Sequence, residues 1–177
     1  VVCDIAIQSL GAITVPCFIT NNKQDIKFII NDCKPKILIL ENDQFYIKNK
    51  DFLKKNFLKN VLIIEKSKYH LSFNNLDEIN EVKLPKILRK NSSSLIYTSG
   101  TQGNPKGVLL SHNSILHNCE AAFELLKDFN FNNEKFLSFL PLSHSYERMA
   151  GLYFPLCINA EIYYCNKMEN ILKDFNY

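Results

Sequence analysis

Between Ile96 and Ser111 the chain carries the sequence I-Y-T-S-G-T-Q-G-N-P-K-G-V-L-L-S. A short apolar run gives way here to small hydroxyl and glycine residues, and a second apolar run resumes after a lysine. Gly100, Gly103 and Gly107 let the backbone turn where side chains would block it. Hydroxyl groups, backbone N–H groups and a lysine charge are donors that can wrap phosphate oxygens. The stretch therefore predicts a phosphate-binding loop.

Three other interpretations of this stretch compete with the phosphate-binding loop predicted above. The simplest is a Ser/Gly turn that joins the two strands of a hairpin. A Walker A loop needs a lysine that opens a helix, but here Pro105 precedes Lys106 and a β-rich run follows it. The dinucleotide motif G-x-G-x-x-G also fails, because the glycines have the wrong spacing. The hairpin turn and a different kind of phosphate loop stay open on the residues alone.

The segment Y-T-S-G-T-Q-G-N-P-K-G resembles the phosphate-loop signature T-S-G-T-T-G-x-P-K-G of the adenylate-forming acyl-CoA synthetase/luciferase superfamily. A second stretch from Ser138 to Arg148, S-F-L-P-L-S-H-S-Y-E-R, resembles the acyl-site motif of the long-chain acyl-CoA synthetases. Two matches in the family's order are more specific than either alone. The loop departs from the family pattern at Gln102, where a threonine is usual; its amide can still donate a hydrogen bond but is longer.

The resemblance implies which residues bind ATP. The side chains and backbone that would hold its β- and γ-phosphates are those of Thr98, Ser99, Gly100, Thr101, Gln102, Gly103 and Lys106. Thr98 would place its hydroxyl near Mg²⁺, the metal that the family uses with ATP. Lys106 and His144 would be the catalytic residues, with His144 beside the acyl carboxylate and the α-phosphate.

The resemblance also implies the reaction. A long-chain fatty acid attacks the α-phosphate of ATP to give acyl-adenylate and pyrophosphate, and CoA then displaces AMP to give the thioester. Other family sites would lie further along a longer chain, so residues 1–177 are expected to be a fragment of the large N-terminal domain, without the C-terminal domain and inactive alone. An aryl-CoA ligase, a peptide-synthetase adenylation domain and a non-catalytic nucleotide-binding relative stay open as alternatives.

Composition restricts the class of protein. The 177 residues are 46% hydrophobic with a net charge of +3, and only Arg89 and Arg148 are arginines. Because arginine is preferred for phosphate-backbone recognition, these values argue against nucleic acid binding. The six cysteines form no C-x-x-C pair, which favours buried free thiols in a reducing compartment. We therefore expect an intracellular protein, in the cytosol or at the cytosolic face of a membrane such as the endoplasmic reticulum; peripheral membrane contact is compatible with this.

Apolar periodicity predicts alternating helices and short strands. The predicted helices are 1–10 as the end of a buried helix, 24–33, 43–59, a helix capped by Ser111 or Asn113, 149–157 bent or interrupted by Pro155, and a final one. The predicted strands are 14–19, 37–40, 61–64, 95–97, 136–140 and 161–165. Residues 66–93 form a polar surface segment or linker. This alternation predicts an α/β fold with a mostly parallel sheet covered by helices on both faces.

The residues around His144 have structural alternatives as well. His144 could cap the next helix or fill a polar pocket, Tyr146 fits a core position, and Glu147 with Arg148 could form an exposed ion pair. In open α/β sheets, ligands bind beyond the carboxyl ends of the strands. Since Thr98 and His144 each follow a predicted strand, we expect both to lie at the same edge of the sheet.

Overall fold

The computed structural model describes residues 1–18, 20–53, 58–76, 81–98 and 104–165, which form helices and short strands. In chain order they are α1 (Val2–Ser9), α2 (Lys23–Cys33), β1 (Ile37–Leu40), α3 (Asp43–Leu53), β2 (Asn60–Ile63), β3 (Leu71–Ser72), β4 (Ser92–Thr98), β5 (Lys106–Ser111), α4 (His112–Leu126), β6 (Lys135–Ser138), α5 (Ser145–Arg148), α6 (Phe154–Cys157) and β7 (Glu161–Tyr164). The α/β class is confirmed.

The chain divides into two units. One unit comprises Val1–Ile19, Leu84–Thr98 and Gly107–Tyr177, and the other comprises Thr20–Lys83 and Ser99–Lys106. In the second unit, β1, β2 and β3 form a parallel sheet in that order. Helices α2 and α3 each bury one apolar face in this unit. Together these faces form its core, which contains Ile26, Ile30, Phe52 and Leu53. Helix α2 begins after Asn22, whose side-chain oxygen accepts a hydrogen bond from the Asp25 N–H at 2.9 Å.

There are two further strand pairs, β6 with β7 and β4 with β5, and all of their residues except Lys106 belong to the first unit. Strands β6 and β7 are parallel, with Lys135 opposite Glu161 and Ser138 opposite Tyr164. Strands β4 and β5 also pair, and the His112 N–H donates to the Asn91 carbonyl at 3.0 Å. The end of β5 therefore lies beside the start of β4, so these two strands run antiparallel. The parallel pairs agree with the predicted sheet. Strands β4 and β5 instead form an antiparallel hairpin, and the glycine loop lies between them in the sequence.

A helical segment from Ser145 to Cys157 carries a π-helical turn at Met149–Tyr153, between α5 and α6. Pro155 has no N–H and crowds the preceding turn, so an undisturbed α-helix cannot pass through this position. The wider turn accommodates the proline and still buries Leu152 completely. The predicted helix and its interruption are both observed, and the helix begins four residues earlier than predicted.

Most predicted elements are confirmed, with several differences. Helix α1 forms, but of its residues only Gln8 is buried. Of the predicted strand at 14–19, Thr14 makes one parallel bridge to Ser94 and residues 15–18 form no strand. Helix α3 is described to Leu53, and residues 58 and 59 are not helical. The predicted final helix lies outside the described residues.

The polar segment 66–93 contains more structure than its composition indicates. Strand β3 and a 3₁₀ turn at Phe73–Asn75 lie within it, and β4 begins at Ser92. Ser93 is fully buried there, and its hydroxyl donates to the Gln8 side chain at 2.5 Å, which satisfies the buried polar group. A serine with a buried partner therefore belongs to the core despite its polarity.

In the described ranges no helix is long and apolar enough to cross a membrane.

All six cysteines are free thiols, as predicted, but only Cys119 is buried. Burial, and next the neighbouring Cys157 thiol, raises the pKa of Cys119 to about 12. A thiol whose pKa lies about three units above the ordinary value has an about 1000-fold smaller thiolate fraction near neutral pH. Cys119 is therefore a packing residue of α4.

We predict that Cys119 resists alkylation until the protein unfolds. At pH 8, iodoacetamide should modify Cys119 at least about 100-fold more slowly in the folded protein than in guanidinium, because the thiolate is the reactive form. Peptide mapping by mass spectrometry measures both rates. The pKa of Cys119 in the folded protein exceeds the ordinary value. The contribution of its neutral thiol to the free energy of unfolding is therefore complete below pH 9 and decreases as the pH rises towards 12. Equal alkylation rates in the two states would contradict the burial of Cys119.

Candidate functional site

Two predicted site residues flank the glycine loop. Thr98 is the last residue of β4 and Lys106 is the first residue of β5, and both are exposed. A hydroxyl and a lysine thus stand at the two ends of the loop. The other five predicted phosphate-binding residues, Ser99, Gly100, Thr101, Gln102 and Gly103, lie outside the described residues, and their role stays a prediction.

Gly107 has a packing role in the hairpin next to the loop. A Cβ at this position would lie 3.0 Å from the Leu95 side chain and 3.3 Å from the Tyr97 ring. Those distances are shorter than ordinary contacts between carbon atoms. A side chain at residue 107 would therefore push β5 away from β4, directly beside Lys106.

His144 occupies the N-cap position of α5. Its Nδ1 atom accepts a hydrogen bond from the Tyr146 N–H at 3.3 Å, and its exposed ring makes an edge contact with Phe18. In a neutral imidazole that accepts at Nδ1, the proton is on Nε2. The capping interpretation of His144 is therefore correct, and the same bond leaves Nε2 as a hydrogen-bond donor on an exposed side chain.

Three residues of α5, Tyr146, Glu147 and Arg148, differ from the predictions. Tyr146 is 67% exposed, so the core position predicted for it is wrong. Glu147 and Arg148 are 4% and 3% exposed, so an exposed ion pair is also wrong. The physical reason is that each charged side chain finds its own buried partners, while the tyrosine ring points to solvent.

Glu147 connects α5 to β6. Its Oε1 atom accepts a hydrogen bond from the Ser138 hydroxyl at 2.6 Å, and both residues are buried. Burial and then the charge of Glu147 raise the pKa of the Tyr164 hydroxyl on the neighbouring strand. A charge-assisted bond of this kind is shorter and stronger than a neutral one. This bond holds α5 to β6, the strand that precedes His144 in the chain.

Arg148 connects the same helix to three other segments. Its Nη2 group donates to Asp4 Oδ1 at 2.5 Å, to Thr14 Oγ1 at 2.8 Å and to Ser94 Oγ at 3.3 Å. The guanidinium also lies 5.3 Å from the centre of the Tyr153 ring. A buried charge is retained at low cost only when it is paired and hydrogen-bonded. We call Arg148, Asp4, Thr14 and Ser94 the arginine cluster.

Sequence reasoning missed the partners in this cluster. The available signal was Asp4, a charged residue in the otherwise apolar first turns of α1, with Gln8 four residues later. Gln8 Nε2 donates to Asp4 Oδ2 at 3.1 Å and to the Tyr153 hydroxyl at 2.9 Å, so it supports the cluster from the same helix. Polar residues at this spacing on an apolar helix indicate a buried polar network.

We predict that Gly151→Ala destabilises this region. A Cβ on Gly151 would overlap Glu147 Oε1, so the carboxylate would have to leave its position against Ser138. We expect a loss of about 1 to 3 kcal/mol of unfolding free energy, as for other insertions into a packed core. Chemical denaturation measures it. In a Glu147→Ala background the same alanine should cost much less, and an equal cost would rule out the clash.

Other candidate sites are weaker. In the described part of the chain, no group of three or more His, Cys, Asp or Glu residues could hold a metal ion. In the second unit, a cavity of about 370 Å³ is lined by Tyr46, Lys59, Tyr69 and His70 among others. No described site residue predicted from the sequence lines it.

A protein-family comparison matches residues 1–176 to the family described as AMP-binding enzyme. Among curated proteins, the chain is 30% identical over 170 residues to a long-chain-fatty-acid–CoA ligase of Homo sapiens, over 87% of this chain and 25% of that ligase. It is 28% identical over 161 residues to a long-chain-fatty-acid–CoA ligase of Mycobacterium tuberculosis, over 84% of this chain and 26% of that ligase. The chain thus spans about a quarter of the length of these relatives.

Solved structures show the same fold. The luciferase-like enzyme of the mealworm Zophobas morio superposes with a TM-score of 0.79 at 22% identity, over 97% of this chain and 41% of that enzyme. An anthranilate CoA ligase in complex with anthranoyl-AMP gives a TM-score of 0.78 at 20% identity, over 97% of this chain and 34% of that ligase. The backbone arrangement observed here is therefore the one found in those proteins.

Proposed function

Because this chain belongs to the family of AMP-binding enzymes, we propose that the protein containing it activates a long-chain fatty acid to acyl-adenylate and then to acyl-CoA. ATP, CoA and the fatty acid are the substrates in this proposal. We refer to the longest natural protein that contains these residues as the parent protein. The match spans 25% of the length of the human ligase, and we propose that activity also needs the rest of the family's length.

The observation that carries the proposal is the 30% identity over 87% of the chain to a ligase whose name specifies long-chain fatty acids. The stretch from Ser138 to Arg148, which resembles the long-chain acyl-site motif, supports the same substrate class. The structure adds that the two buried charges of this stretch, on Glu147 and Arg148, anchor the helix that His144 caps.

The chain's own residues would contribute binding and charge stabilisation. Lys106 would neutralise negative charge on the departing pyrophosphate, and the hydroxyls and N–H groups of the loop would hold its oxygens. His144 would donate from Nε2 to charge that develops around the α-phosphate, since its Nδ1 is already an acceptor. Such groups accelerate phosphoryl and adenylyl transfer mainly by positioning and electrostatics.

Mg²⁺ fits the described residues as a metal bound chiefly by phosphate and water. Thr98 is an exposed residue beside the loop and carries a hydroxyl, and Mg²⁺ commonly takes one or two protein ligands with substrate phosphates. The metal would supply charge neutralisation of the triphosphate when bound. We also propose an intracellular, reducing location, which the six free thiols support.

The test is pyrophosphate release by the parent protein with Mg·ATP and a series of carboxylic acids. We expect release with fatty acids of long chain, and acyl-CoA on addition of CoA. An aryl acid such as anthranilate and free amino acids serve as comparison substrates for the rival ligase classes. Preference for either would overturn the substrate class. No adenylation with any acid would indicate a non-catalytic nucleotide-binding relative.

A further inference from the structure

The arginine cluster joins segments that are far apart in the chain. Asp4 is in α1, Thr14 makes the isolated bridge, and Ser94 is in β4, at sequence distances of 144, 134 and 54 residues from Arg148. The ion pair between Arg148 and Asp4 is buried, with side-chain exposures of 4% and 16%. One guanidinium nitrogen is therefore the common point of three separate parts of the first unit.

On one side the cluster fixes strand β4. The Thr14 N–H donates to the Ser93 carbonyl at 3.0 Å, and the Leu95 N–H donates to the Thr14 carbonyl at 2.8 Å. Arg148 bonds the side chains of Thr14 and Ser94 at the point where these backbone bonds form. Four residues beyond Ser94, the strand ends at Thr98, where the glycine loop begins. The cluster therefore holds the strand that carries Thr98.

On the other side the cluster fixes the single helical turn formed by His144 and α5, which we call the His144 turn. The Arg148 backbone N–H donates to the His144 carbonyl at 2.9 Å, and α5 consists of a single turn between them. A helix this short gains little stability of its own and depends on its anchors. Because the Arg148 side chain is buried among fixed partners, the position of the turn, and with it the imidazole of His144, is determined by the cluster.

We propose that Arg148 is a positioning residue for adenylation, which holds the strand before the glycine loop and the His144 turn to one buried anchor. This inference rests on the function proposed above. Arg148 touches no reacting atom in this proposal, and it acts through β4 and α5. Loss of Arg148 would shift Thr98 at the end of β4 and His144 at the start of α5. Displacements of about 1 Å in an active site can cost about 100-fold in rate.

The chain offers a matched control for this arginine. Arg89, the other arginine, forms an ion pair with Glu120 at 2.9 Å, with side-chain exposures of 60% and 56%. Arg89→Met removes the same charge and the same kind of pair from the surface. We expect it to leave adenylation and the thermal midpoint near their original values, because exposed pairs contribute little.

The experiment compares Arg148→Met with the double variant Asp4→Asn/Arg148→Met in the parent protein. The single variant leaves the Asp4 carboxylate without its buried partner and should lower the thermal midpoint. The double variant also neutralises Asp4, and replacing both members of a buried pair restores much of the stability. Adenylation with long-chain fatty acid and thioester formation from pre-made acyl-adenylate are then measured separately, per folded molecule.

If Arg148 positions the site, the double variant regains its thermal midpoint but adenylation stays about 100-fold slow, while thioester formation is changed far less. Recovery of adenylation together with stability would overturn the inference, because Arg148 would then be merely structural. Failure of the unmodified protein to adenylate fatty acids while it activates another acid would reject the substrate class alone, and the same comparison would be made with that acid. No adenylation of any acid would overturn both proposals.

Discussion

Lys106→Ala should slow acyl-adenylate formation by the parent protein by about 10- to 1000-fold, the scale of one charge-assisted contact to a developing anion. The lysine stands exposed at the first residue of β5, directly after the glycine loop. We expect a weaker affinity for ATP and a lower adenylation rate, because its charge is proposed to bind the departing phosphates. Steady-state kinetics of pyrophosphate release measure both quantities.

The two half-reactions provide the sharpest check on Lys106. Thioester formation from pre-made acyl-adenylate involves no pyrophosphate, so Lys106→Ala should affect it far less. Lys90→Ala is the matched control, since Lys90 is also exposed and lies just before β4. If both half-reactions of Lys106→Ala fell by the same factor, Lys106 would be structural and its assignment to the phosphates would be wrong.

Local sequence signals predicted much of the fold. The apolar run at residues 37–40 forms β1 with those bounds, and Ser111 caps α4 by accepting from the Ser114 N–H at 3.1 Å. The cap depends on residues three apart, and the strand is signalled by its own apolar run although it pairs with β2 more than twenty residues away. The family resemblance likewise depended on two contiguous stretches, and the family match over residues 1–176 bears it out.

Long-range polar contacts could not be predicted in the same way. A charged pair such as Glu147 and Arg148 is usually exposed, and its neighbours in sequence give no reason for burial. The reason lies in Ser138 for Glu147 and in Asp4, Thr14 and Ser94 for Arg148, and most of these partners are distant in the chain. The relative placement of Thr98 and His144 at one sheet edge also depends on long-range geometry, and it stays a prediction.

His144 has two roles to separate, and the structure supplies the means. As the N-cap of α5 it accepts from the Tyr146 N–H through Nδ1, and as a proposed catalytic residue it donates through Nε2. Asparagine is among the best N-cap residues, and its side-chain oxygen can accept the same bond. His144→Asn therefore keeps the cap without the imidazole, whereas His144→Ala removes both.

We expect both variants of the parent protein to slow adenylation by about 100- to 1000-fold, the effect of removing one preorganised donor to a developing negative charge. They should differ in stability, because loss of the cap in His144→Ala costs about 1 kcal/mol and the asparagine avoids most of that cost. Thermal midpoint and adenylation rate are measured on the same preparations and expressed per folded molecule. A His144→Asn protein with a normal adenylation rate would limit His144 to capping. In that case the Nε2 donor would have no part in the reaction, and charge stabilisation would fall to the glycine loop and Lys106.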